Sequence, residues 1–155
     1  MQIDASSSSP TVRVGTDLCS IAAVDESIRE FGRRYLDRVY TPGELAYAES
    51  APAQQSERLA ARFAAKEAVI KILRPEEHRP EWRTIEIHRH PAGWCDVRLS
   101  GEAARLADSI GIVNLDVSLT HEMDLAAATV VATIRASNAN RSPDEQQRQP
   151  GEERS

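Results

Sequence analysis

Two carboxylates far apart in the chain, Asp17 in VRVGTDL and Glu67 in RLAARFAAKEAVIKIL, are the residues whose types and surroundings most invite chemistry. Glu67 lies in an alanine-rich stretch flanked by Lys66 and Lys71, with Arg62 one helical turn earlier. Carboxylates hold hard divalent cations that share their oxygen shell with phosphates. Two carboxylates and two ammonium groups therefore suggest a metal ion and a phosphate-bearing substrate. Taken alone, Glu67 and Lys71 are an ordinary i,i+4 ion pair worth about 0.2–0.5 kcal/mol. Their company, small neighbours at Ala60 and Ala64 and two further cations, favours a diphosphate held against a carboxylate-bound cation.

The elements that must position these groups are legible from periodicity. Val12, Val14 and Leu18 alternate with Arg13, Gly15 and Asp17, which predicts a half-buried strand. The valines are expected on the core face. Gly15 and Asp17 then share the other face, where the missing side chain leaves room for something to approach the carboxylate. A helix is expected through Ile28 and Phe31, and Thr41-Pro42-Gly43-Glu44 has the capping-box order, with proline at the first helical position. Capping accounts for Thr41 and Glu44 without further roles.

The helix expected from about Ser56 to Leu73 places Leu59, Phe63, Ile70 and Leu73 on one apolar stripe. Lys66 falls on that stripe, so its ammonium must snorkel outward or meet a buried anion. Ala60, Ala64, Glu67 and Lys71 form a second stripe, whose alanines permit close approach to Glu67. RPEEHRPEW then reads as a loop. Strands are expected over Thr84 to His88 and Asp96 to Leu99, then a helix from Glu102 to Ile110 closed by Gly111. Two final strands, Leu115 to Thr120 and Leu125 to Ile134, would be joined by a turn over residues 121–124. The order predicts an α+β domain with a mainly antiparallel sheet packed against helices.

Composition bounds the rest. A chain of 155 residues with 41% hydrophobic content suits a single domain that needs no disulfides, and Cys19 and Cys95 form no CxxC pair. The polar opening MQIDASSSSP lacks the apolar run of a signal peptide, and no stretch approaches the roughly 20 apolar residues of a membrane span. A cytoplasmic protein with reduced cysteines and no membrane partner is expected. A net charge of -5 argues against nucleic acid as a partner. Arg29, Arg33, Arg34 and Arg38 are nonetheless concentrated in ESIREFGRRYLDR, either as a solvated helix face or as a docking patch for an acidic protein. Residues 1–10 include a run of four serines and residues 137–155 carry almost no apolar side chains, and both are expected to be disordered tails around a domain at 11–136. His88 and His90 share an expected strand face, but neither a cysteine nor a third histidine stands at a zinc-ligand spacing.

The segments VGTDL, TPGE, RFAAKEAVIK, WRTIEIH and SLTHE occur in the order of the hallmark segments of the holo-acyl-carrier-protein synthase family. The chain resembles that family, the small class of 4'-phosphopantetheinyl transferases, over nearly all of residues 12–134. A lone KEA would be weak; RFAAKEA with an upstream GxD and a downstream SxTH is specific. The resemblance implies the 4'-phosphopantetheinyl transferase fold and magnesium-dependent transfer of the phosphopantetheine arm of coenzyme A to a serine of an apo acyl carrier protein or carrier domain. Adenosine 3',5'-bisphosphate would be released.

Position by position, the resemblance implies Asp17 and Glu67 as the magnesium ligands, and Arg62, Lys66, Lys71, Ser118 and His121 as contacts of coenzyme A. Glu67, Lys71 and His121 become the catalytic set, with Glu67 or a water of the ion's shell as the base. It implies carrier docking by Arg29, Arg33 and Arg34 on the first helix, and homotrimers with sites at subunit interfaces. The family pattern continues the KEA helix as KALG with further glycines, whereas this chain reads KILRPEEHRPEW. That departure bears on how closely backbone can approach phosphate or pantetheine. It also fits a relative serving a polyketide or peptide synthase rather than fatty-acid synthesis. Two other readings are a non-catalytic relative that binds carrier or coenzyme A and a magnesium-dependent enzyme acting on another diphosphate. Keeping both metal carboxylates speaks against the first.

Overall fold

The computed structural model describes residues 10–135, so the two expected tails lie outside the described residues apart from Pro10. The elements are β1 (Thr11–Ser20), α1 (Ile21–Phe31), α2 (Arg33–Val39), α3 (Pro42–Glu49), α4 (Gln55–Leu73), β2 (Ile85–Arg89), β3 (Cys95–Leu99), α5 (Gly101–Ser109), β4 (Ile112–Glu122) and β5 (Leu125–Ile134). The strands form one five-stranded sheet in the order β1-β5-β4-β3-β2, with each neighbouring pair antiparallel. This is the expected α+β architecture.

The helix α4 lies across β1 and β5, and the surfaces that meet are lined by small residues. Ala60, Ala64 and Ala68 of α4 are fully buried, as are Ala126 and Ala132 of β5. Such side chains let helix and sheet backbones approach closely at native packing density. The closest approach is at Gly15, where an added Cβ would stand 2.1 Å from the carbonyl oxygen of Ala68. Gly15 is therefore glycine because α4 occupies its side-chain space.

That contact reverses one expectation. The Gly15 and Asp17 face of β1 is the one turned toward α4, and the valine face is turned outward, with Val12 56%, Val14 63% and Leu18 63% exposed. Alternation shows that a strand has two unlike faces without saying which is covered. The apolar outer face continues through Leu125 and Val131 of β5. Likewise, α4 is not buried along one stripe but nearly all round, with both the leucine stripe and the alanine stripe inside the protein.

Other boundaries follow local chemistry. Gly32, at φ 53, divides ESIREFGRRYLDR into α1 and α2, and its N–H closes α1 on Ile28 O. The capping box of α3 is present, Thr41 Oγ1 accepting from the Glu44 N–H and the Glu44 carboxylate accepting from the Thr41 N–H. The turn expected over residues 121–124 is shorter. His121 and Glu122 belong to β4, and Met123, at φ 53, turns the chain with Asp124. At the end of α4, Arg74 takes the left-handed cap conformation, φ 48 and ψ 56.

Candidate active site

The strand β1 carries Asp17 and the helix α4 carries Glu67 and Lys71, and their packing brings the three together. Lys71 Nζ lies 2.9 Å from Asp17 Oδ1 and donates to the Thr16 carbonyl at 2.6 Å. The lysine thus pairs across to the strand and not with Glu67 along its own helix. Glu67 is instead faced by Arg79, whose Nη1 lies 3.2 Å from Oε1 and 3.4 Å from Oε2. The Asp17 and Glu67 side chains are recessed, at 19% and 18% exposure, while Lys71 and Arg79 are 51% and 62% exposed. Two recessed carboxylates are each capped by an exposed cation.

Cys19 links the two carboxylates. Its thiol is pushed up to about 11, by burial first and then by the negative charges of Asp17 and Glu67. A thiol held in that form is a weak nucleophile at neutral pH. The donors at this site are oxygens. Among the described residues no cluster of three or more His, Cys, Asp or Glu side chains could hold a metal ion alone.

Two of the expected coenzyme contacts, Lys66 and Arg62, are buried within the protomer. Lys66 has no exposed surface; its Nζ lies 2.8 Å from Glu44 Oε2 and donates to Val39 O at 2.8 Å and Trp82 O at 3.0 Å. All three ammonium protons are satisfied inside the protein, so in this arrangement the lysine meets a buried anion and does not snorkel outward. Burial lowers its pKa and Glu44 opposes that shift. Arg62 is only 3% exposed, stacks 4.1 Å from the centroid of Tyr47 and donates to Arg58 O at 3.0 Å. Neither side chain reaches the Asp17 and Glu67 carboxylates in this arrangement.

Ser118 and His121 stand elsewhere in the protomer. Ser118 is opposite Thr129, which is opposite Thr16, and this row lies on the outer face of the sheet. Asp17 is opposite Ala128 on the inner face, so the sheet separates Ser118 from Asp17. His121 is opposite Ala126, and its Nδ1 lies 4.0 Å from Oε2 of Glu57 near the start of α4. Glu57 and Glu67 are ten residues apart on that helix, or about 15 Å at its rise per residue.

The arginines expected to dock a partner have unequal surroundings. Arg29 pairs with Asp25, and Arg33 pairs with Asp37 at 2.9 Å and Glu49 at 3.5 Å. Arg34 lies over the Phe31 ring and shares a shallow depression with Tyr35 and Arg38. The residue that sequence reasoning passed over is Arg79, because a loop residue between Pro75 and Pro80 has no periodic relation to Glu67. It borders a cavity of about 470 Å³ together with Arg38, Arg83 and Trp82.

The fold is a five-stranded antiparallel sheet wrapped on one alanine-rich helix, and residues 13–130 match the model of the 4'-phosphopantetheinyl transferase superfamily, which makes the protein a member of the phosphopantetheinyl transferase class. A holo-[acyl-carrier-protein] synthase of Solibacter usitatus is 39% identical over 121 residues, covering 77% of this chain and 96% of that protein. The chain belongs to the holo-[acyl-carrier-protein] synthase family. Among solved structures, the Chronobacterium ammoniagenes ACPS-CoA complex is 32% identical with a TM-score of 0.72, over 81% of this chain and 98% of that one. The Helicobacter pylori enzyme in complex with coenzyme A gives a TM-score of 0.65 at 27% identity, over 77% of this chain and 99% of that one.

Proposed function

We propose that this protein transfers the 4'-phosphopantetheine arm of coenzyme A to a serine of an apo acyl carrier protein, with magnesium as cofactor, releasing adenosine 3',5'-bisphosphate. The observation that carries the reading is the pair of recessed carboxylates, Asp17 on β1 and Glu67 on α4, each faced by an exposed cation. This oxygen donor set suits a hard cation that completes its shell with substrate phosphates and water. Asp17 and Glu67 would hold the ion, whose charge would orient and neutralise the diphosphate.

The serine oxygen forms a bond to the β-phosphate as the bond to the bridging oxygen breaks, and that oxygen departs with the α-phosphate. Charge grows on the bridging oxygen. Lys71, half-exposed beside Asp17, would meet that charge. Glu67, or a water beside it, would take the serine proton.

Ser118 and His121 enter this scheme from a neighbouring subunit, because the sheet and the length of α4 separate them from Glu67 within one chain. A homotrimer closed over the apolar outer face of Val14, Leu18 and Val131 would supply them and cover that face. The carrier, whether it serves fatty-acid, polyketide or peptide synthesis, would dock its acidic surface on the arginines of α1 and α2. No helix of the described residues is long and apolar enough to cross a membrane, in keeping with action in the cytoplasm.

Intact-mass analysis of an apo carrier incubated with enzyme, coenzyme A and magnesium tests the reading. A gain of one phosphopantetheine, abolished by chelation and by Asp17→Ala and Glu67→Ala, is the expected result. Coenzyme binding without any gain on several carriers would favour a non-catalytic binding relative instead.

A further inference from the structure

The loop that departs from the family pattern places Arg79 on Glu67, and one nitrogen, Nη1, spans both carboxylate oxygens at 3.2 and 3.4 Å. An oxygen shared with a guanidinium cannot also serve a divalent cation at full strength, because the two positive charges compete for the same lone pairs and repel each other. The pair is built to open. Its distances are long, Arg79 is 62% exposed, and an exposed ion pair of this kind is weakly held. Arg79 sits on the loop after α4 and not on the helix, so its departure leaves Glu67 in place.

Where Arg79 would go is also visible. It borders the cavity of about 470 Å³ lined by Arg38 and Arg83 and also by Asp37 and Glu81, so three guanidiniums face two carboxylates there, and a phosphate oxygen is a stronger partner for a guanidinium than a carboxylate already claimed by a metal ion. We propose that Arg79 is a competitive guard on Glu67: it occupies the carboxylate before the cation binds and passes to a phosphate of coenzyme A as the cation enters. Cation and coenzyme then bind cooperatively, since each helps the other displace the same guanidinium. This inference rests on the reading that Glu67 is a cation ligand. Arg79 is a positioning residue, acting through Glu67.

The test is Mn2+ binding to the full chain, followed by the electron paramagnetic resonance signal of the free ion, without coenzyme and then with it. Arg79→Gln is expected to bind Mn2+ about twofold to fivefold more tightly than wild type in the absence of coenzyme, the range over which an exposed pair can compete. Arg83→Gln, which removes the same charge from the same cavity without touching Glu67, is expected to change the affinity less. Arg79→Lys should return most of the competition. In Arg79→Gln the gain in Mn2+ affinity on adding coenzyme A should shrink by the same factor. Unchanged or weaker Mn2+ binding in Arg79→Gln would overturn the guard, as would equal effects of Arg79→Gln and Arg83→Gln. Undiminished Mn2+ binding by Glu67→Gln would overturn the cation-ligand reading itself, a separate failure from that of the guard.

Discussion

Lys66 Nζ lies 2.8 Å from Glu44 Oε2 with neither side chain exposed to solvent, so the helix-capping residue of α3 is also the counterion of a lysine buried in α4. Glu44 does a third thing, accepting the backbone N–H of Ile87 at 2.9 Å on its other oxygen. One carboxylate thereby fastens α3, α4 and β2 beneath the candidate active site.

Lys66→Met is expected to lower stability by about 3–5 kcal/mol, because it leaves the Glu44 charge buried without its partner. The folded fraction of that variant should bind coenzyme A like wild type. Urea unfolding combined with equilibrium dialysis of coenzyme A checks both halves. Wild-type stability with lost coenzyme affinity would return Lys66 to the site.

Charge reversal at Arg34 should raise the Michaelis constant for the carrier on the order of tenfold and leave that for coenzyme A nearly unchanged. Reversal at Arg29 or Arg33 should act in the same direction but less strongly, since each is already shared with acids of its own chain. Steady-state kinetics with each substrate varied in turn separates these cases, and equal effects on both substrates would sink the docking patch.

The left-handed cap at Arg74 carries a steric cost that glycine avoids. Arg74→Gly is therefore expected to stabilise the protein by about 1 kcal/mol, read as a higher urea midpoint at unchanged slope. An equal or lower midpoint would mean that the arginine side chain compensates for its backbone.

Tyr40 is 1% exposed and donates its hydroxyl to Leu59 O at 3.1 Å, and burial raises its pKa well above 10.0. A folded-state pKa raised in this way means that the native state holds its proton where the unfolded chain has released it. The stability it confers is complete below pH 10.0, the ordinary value, and is lost as pH climbs toward the raised value. Tyr35, shifted in the same direction, adds to the effect. Tyr40→Phe should flatten the loss of stability between about pH 9 and 11, measured by urea midpoints across that range.

Much of the fold was legible because it rests on local chemistry. Alternation located β1, the capping box fixed the start of α3, and spacing along α4 put Lys66 on the core-facing stripe. Asp17, Glu67 and Lys71 were likewise legible as a set, since a strand carboxylate and a helix carboxylate need only those two elements to pack. What local chemistry does not carry is the identity of long-range partners. The outward valines follow from Gly15 and the alanines of β5 choosing the face for α4. Glu44 as the anion for Lys66, and Arg79 as the cation on Glu67, each depend on where a separate segment comes to rest. Ser118 and His121 share a motif with two residues between them, yet the strand and sheet turn them to different surfaces.

The contact between Gly15 and the carbonyl of Ala68 bears on how the enzyme could vary over time. Asp17 is two residues beyond the glycine and Glu67 immediately precedes Ala68, so the gap between the two carboxylates is gauged at a point that has no reactive group. A single methyl group there would act as a shim, prising strand from helix and moving Asp17 relative to Glu67 while every charged residue stayed in the sequence. Chains in which this glycine has changed should be suspected of having altered the spacing of the two carboxylates even where Asp17 and Glu67 are intact.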